Sequence, residues 1–131
     1  MDITEAMQRA VFARLKAYGP LNGVGVYDAV QPTAGFPYVT IFDVQSVEDG
    51  DDCHDGDEIS FDVHVWSRVV GSVQAKGIAG HVRKALHDFD LPLGEDHALV
   101  DLKFTDLRVF RDPDGVTTHG VVSFRALTQS F

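Results

Sequence analysis

Residues 58–68 read EISFDVHVWSR. Ile59, Phe61, Val63 and Val65 alternate with Ser60, Asp62, His64 and Trp66, the period-two signature of a strand with one covered face. Upstream, residues 38–47, YVTIFDVQSV, are rich in β-branched and aromatic side chains and predict a second strand, apolar on both faces at its start as at the centre of a sheet. Between these strands runs EDGDDCHDGDE, residues 48–58, with seven carboxylates in eleven positions. Because the strands flank it directly, the spacing predicts a hairpin with this acidic segment as its tip.

Downstream, Gly71-Ser72 opens a helix on which Ala75, Ile78, Ala79, Val82, Leu86 and Phe89 form an apolar stripe at helical spacing, ended by Asp90 to Pro92. Gly77 and Gly80 each cost about 1 kcal/mol relative to Ala in a helix and are expected to permit close packing against the sheet or a neighbour. Leu99–Phe110 and Val116–Thr128 then predict a second hairpin about Asp112-Pro113-Asp114-Gly115, where Pro supplies a fixed φ and Gly a positive one. In its first strand Val100, Leu102 and Phe104 share one parity and Leu107 and Val109 the other, which a bulge near Thr105-Asp106 reconciles. In its second strand Val122, Phe124 and Ala126 face inward, Ser123 and Arg125 outward.

At the other end, Asp2 and Glu5 have capping-box spacing, and Ile3, Met7, Val11, Leu15 and Tyr18 line one stripe, predicting a helix from Asp2 to Tyr18 that Gly19-Pro20 stops. A short strand is expected at Val24–Tyr27, followed by a loop at QPTAGFP, residues 31–37. The fold class is therefore α+β: a mainly antiparallel sheet of about four to five strands built from two hairpins plus a short strand, with two helices on one face. Residues 1–131 are expected to form a single domain.

Composition narrows the function. The chain has 131 residues, 44% of them hydrophobic and 24% charged, an ordinary globular balance with nine phenylalanines against disorder. Its formal charge is −9, and taking the seven carboxylates of the hairpin tip from it leaves −2 elsewhere. An acidic chain is a poor ligand for phosphate backbones, which excludes sequence reading of nucleic acid. One cysteine forms no intrachain disulfide, the start MDITEAMQRA has neither the basic nor the apolar part of a leader, and no run approaches a membrane span. A reducing cytoplasm without a membrane role is the expected compartment.

Candidate chemistry is sparse. Asp51, Cys53, Asp55, Gly56 and Asp57 loosely follow the start of an EF-hand loop, but position three is Cys and position twelve is Asp62, inside a strand. Cys53 and His54 are adjacent, so their side chains diverge in an extended segment, and the surrounding carboxylates oppose thiolate formation. No CxxC, HxH or HExxH spacing for zinc is present, and His81 and His87 fall on different helix faces. Asp62, His64 and Trp66 share a strand face that either binds a ligand or partner or forms a partly covered surface with a satisfied His and a packed Trp. No catalytic residue, cofactor site or metal site is assigned.

One stretch carries the reading further. VHVWSRVVGSVQAKGIAGHVRKAL, Val63 to Leu86, resembles the strand-to-helix segment of the tail-completion, or tail-terminator, proteins of long-tailed phages, prophages and gene transfer agents: Trp66-Ser67 closes the strand, Gly71 makes the turn, and Ala75 and Lys76 begin the helix. The rest follows in order, with an N-terminal helix, a VYDAV-like strand at Val26 to Val30, a strand start at Pro37-Tyr38-Val39, and a last strand HGVVSFRALT from His119 to Thr128. The acidic insertion is a departure in composition whose role does not carry over.

The resemblance implies a non-enzymatic virion protein. Its partners would be further copies of itself in a ring, typically a hexamer, the tail tube protein and the head-tail connector protein, with DNA passing through unbound. It would reside in the host cytoplasm during assembly and then at the head-proximal end of the tail of a phage or gene-transfer-agent particle. Glu48, Asp49, Asp51, Asp52, Asp55, Asp57 and Glu58 are the candidate lumen-facing or partner-facing residues. Two alternatives stand beside it: another head-to-tail connector component, or a calcium- or ligand-binding domain using the acidic loop.

Overall fold

The computed structural model describes residues 1–30 and 33–131, excepting the side chain of Phe42. Helix α1 spans Ile3–Ala17, and Asp2 caps it by accepting the Thr4 N–H at 3.0 Å. Glu5, expected to complete a capping box, instead pairs with Arg9, one turn on, at 3.2 Å. Ile3, Ala6, Met7, Ala10, Val11 and Leu15 are buried on one stripe. A 3₁₀ turn at Gly19–Leu21 follows, where Pro20 supplies the first-turn φ and Leu21 enters the core.

Strand β1, Gly25–Tyr27, stops before Val30, because Asp28 and Ala29 turn away in a bend. The expected loop that follows begins with Gln31 and Pro32, which lie outside the described residues. Strand β2 (Tyr38–Glu48) and strand β3 (Asp55–Ser67) form the first hairpin. Helix α2 (Val73–Leu86) leads to strand β4 (His97–Arg111) and strand β5 (Thr118–Ser130), the second hairpin. The sheet has the order β1-β2-β3-β5-β4, antiparallel except for the β1–β2 pair, which is parallel.

Both helices pack on one face of this sheet. Val39, Ile59, Val63, Val65, Leu102, Val122, Phe124 and Ala126 meet Met7, Val11 and Leu15 of α1 and Ala75, Ala79, Val82 and Leu86 of α2 in one apolar cluster. Phe124 stacks on Phe61 at 5.2 Å and meets Phe104 edge-on at 6.1 Å. Arg14 joins the helices: its Nε donates to Ala85 O in the last turn of α2 at 2.8 Å, satisfying a carbonyl that has no helical partner, and its guanidinium lies 3.6 Å from the Phe89 ring centroid.

Helix α2 ends at Leu86, short of Phe89, because His87 is already extended and Asp88 adopts φ 59°. The following segment buries Leu91 and Leu93, core residues with no period to announce them. A Cβ on Gly77 or Gly80 would meet nothing within 4 Å, so neither glycine is required for packing against the sheet. The predicted bulge is present between Phe104 and Asp106, and β4 carries a second between Leu99 and Asp101.

Candidate functional site

Two features of the sheet carry polar side chains in number: the β2–β3 hairpin tip and the face turned away from the helices. At the tip, the ladder runs further than the sequence pattern indicates, pairing Val47 with Glu58 and Glu48 with Asp57. Asp49 N–H donates to Gly56 O at 2.9 Å and Asp51 N–H to His54 O at 2.8 Å, so the turn itself is only Asp52-Cys53. Asp51 closes it: Oδ1 accepts the N–H groups of Cys53 and His54 at 2.9 and 2.8 Å and lies 3.2 Å from His54 Nδ1. The Cys53 N–H above all, then the His54 imidazole and N–H, hold the Asp51 carboxyl below the usual carboxylate range.

Three further carboxylates of the tip are engaged locally too. Glu48 accepts the Gly50 N–H at 3.0 Å, Asp57 accepts the Ser46 hydroxyl at 3.2 Å, and Glu58 lies 3.8 Å from Arg125. The acids are spread along two paired strands and the turn between them, where an EF-hand would converge them on one ion. Cys53 is a free thiol and exposed.

The open face is organised in cross-strand rows. Tyr38, Trp66, His119 and Phe110 are register partners across β2, β3, β5 and β4. Trp66 stacks on His119 at 3.8 Å and 13°, and Phe110 lies 4.8 Å from His119. The Trp66 indole N–H donates to Thr40 Oγ1 at 3.3 Å. In the next rows His64 Nε2 meets Asp43 Oδ2 at 2.7 Å, His64 Nδ1 meets His119 Nε2 at 2.7 Å, and the Ser123 hydroxyl donates to Asp62 at 2.6 Å. Burial, with the neighbouring His64 adding to it, pushes the His119 pKa down.

Asp62, His64 and Trp66 are thus together on one face, as the alternation of β3 requires. Sequence reasoning missed Asp43 and His119. Asp43 arrives through a bulge between Thr40 and Asp43, where β2 spends one extra residue; without it Asp43 would point to the helix side. His119 is seen only once β5 is paired to β3 with Trp66 opposite it.

A family model described as "Tail completion protein gp17" matches residues 9–129. The chain belongs to the tail completion protein gp17 family. A curated member, the tail completion protein gp17 of Bacillus phage SPP1, is 31% identical over 126 residues, covering 93% of this chain and 91% of the relative. Among solved structures, a chain of the virion of a native gene transfer agent particle matches with a TM-score of 0.85 at 26% identity, covering 98% of both chains. The structure of bacteriophage SPP1 gp17 matches with a TM-score of 0.61 at 26% identity, over 94% of this chain and 88% of that one. The stretch matched by the family runs without a break from within α1 to the penultimate residue of β5.

Proposed function

We propose that this tail completion protein is a structural virion component of the phage or gene-transfer-agent type, and that it acts as the terminator: copies form a ring on the last ring of the tail tube, stop its growth and present a surface to the head connector. The observation that carries the reading is the fold match over 98% of both chains to a chain of a gene-transfer-agent virion. The sheet supports it physically. Ring closure needs two unlike surfaces per subunit. The two sides of this sheet differ: β1 covers only Tyr38 to Thr40 of β2, leaving a margin with exposed Val44 and Val47, and the far margin along β4 exposes Leu107 and Phe110.

The acidic hairpin projects from one end of the sheet, opposite the Asp112–Gly115 turn. Facing a passage for DNA, it would repel phosphate; facing a basic partner, it would fix orientation. The test is electron microscopy of tail-tube subunits polymerised with and without the protein. Capped tubes of limited length are expected with it. Tubes equally long in both preparations would overturn termination, and particles with normal tails but no heads would assign the protein to the connector instead.

A further inference from the structure

We propose that Asp43, Asp62 and His64 form a binding site for one divalent ion of the zinc class on the open face of the sheet. One ligand atom from each lies within 4.8 Å of the other two. An ion about 2.0–2.2 Å from each donor would hold the donors somewhat closer than that. Asp43, 46% exposed on its side chain, has the freedom to close the remainder, while His64 is 12% exposed and held.

The site is built by the ladder. Asp43 and Asp62 are register partners on β2 and β3, and His64 is two residues further along β3, so all three project from adjacent rungs on one face. Two carboxylates facing each other across strands repel. Among the described residues no Lys or Arg ion pair relieves either of them. A cation between them converts that repulsion into a bridge.

The second observation is the support behind the ligands. His64 uses Nδ1 to meet His119 Nε2 at 2.7 Å, which leaves Nε2 directed at Asp43, and Asp62 accepts the Ser123 hydroxyl at 2.6 Å. His119 is in turn fixed by its stack on Trp66. An imidazole whose far nitrogen is hydrogen-bonded, beside a carboxylate that is also hydrogen-bonded, is the outer-shell arrangement of protein metal sites. One nitrogen and two carboxylate donors suit zinc or cobalt better than calcium or magnesium, which favour oxygen alone, and three protein ligands leave a position for water or a partner's donor. On binding, the ion would replace the His64–Asp43 hydrogen bond.

The experiment is calorimetric titration of metal-stripped protein with Zn²⁺, with Co²⁺ absorption as the second probe. One saturable ion per chain is expected, weakened about tenfold or more by Asp43→Asn, by Asp62→Asn and by His64→Gln, and by about tenfold in Ser123→Ala. The double variant Asp52→Asn/Asp55→Asn in the hairpin tip should bind as the unaltered protein does. Nitrogen-15 NMR of the unaltered protein should show the His64 Nε2 resonance moving on zinc addition, a readout independent of how any variant folds. Absence of saturable zinc binding, binding indifferent to Asp43 and Asp62, an unmoved His64 resonance, or calcium bound as tightly as zinc would each overturn the site.

Discussion

Asp114 shows how one carboxylate sets the second hairpin. It accepts the N–H groups of Val116 and Thr117 at 2.9 and 2.8 Å and the Thr117 hydroxyl at 2.6 Å. The Thr117 hydroxyl and then these N–H groups lower its pKa from the ordinary 3.8. A carboxylate with a depressed folded pKa adds stability above its unfolded pKa and loses it as pH falls through the folded value. Asp114→Ala is therefore expected to be less stable than the unaltered chain at pH 7, with the difference shrinking below pH of about 3.8. Urea denaturation at several pH values measures it. At this scale the sequence told Asp62, His64 and Trp66 apart from the core by parity alone. Asp43 escaped, because a bulge resets parity without any residue type that marks it. His119 escaped because its partners are 53 and 55 residues away in sequence.

At the scale of elements, α2 carries two glycines with no packing reason inside the chain. Gly77→Ala and Gly80→Ala should each stabilise the isolated protein by about 1 kcal/mol, read as a rise in urea midpoint at unchanged m-value. A variant more stable alone but slower to assemble would show that a neighbouring copy approaches this helix face. Both hairpins, both helices and the β4 bulge at Thr105 were legible from period, turn chemistry and parity. The ends were not: α2 stops where Asp88 turns left-handed, and the first hairpin pairs on through Glu48 and Asp57 although nothing in their polarity marks a strand. Asp57 also pairs with Thr128 of β5, so this rung is held by backbone bonds on both sides of β3, which need no apolar side chain and leave no pattern to report them.

At the scale of the whole molecule, charge is concentrated at one end. Replacing Asp49, Asp52, Asp55 and Asp57 by Asn, with Asp51 left to close the turn, should change thermal unfolding little and alter particle assembly or DNA passage. Infectivity or transfer titre, together with the rate of DNA release, measures this; unchanged values for all would reduce the hairpin to a solubility feature. The outer margin of β4 has a consequence of a different kind. Asp88 N–H donates to Leu102 O at 2.9 Å and His87 Nδ1 accepts the Phe104 N–H at 3.0 Å, so the segment leaving α2 plugs two rungs in the middle of this margin, between its two bulges. An unplugged strand of 15 residues would be a template for amyloid-like stacking of one copy on the next. Sealing its centre shortens the run of edge that a second copy could extend, and leaves the rungs beyond Thr105 for a partner to read in a fixed register.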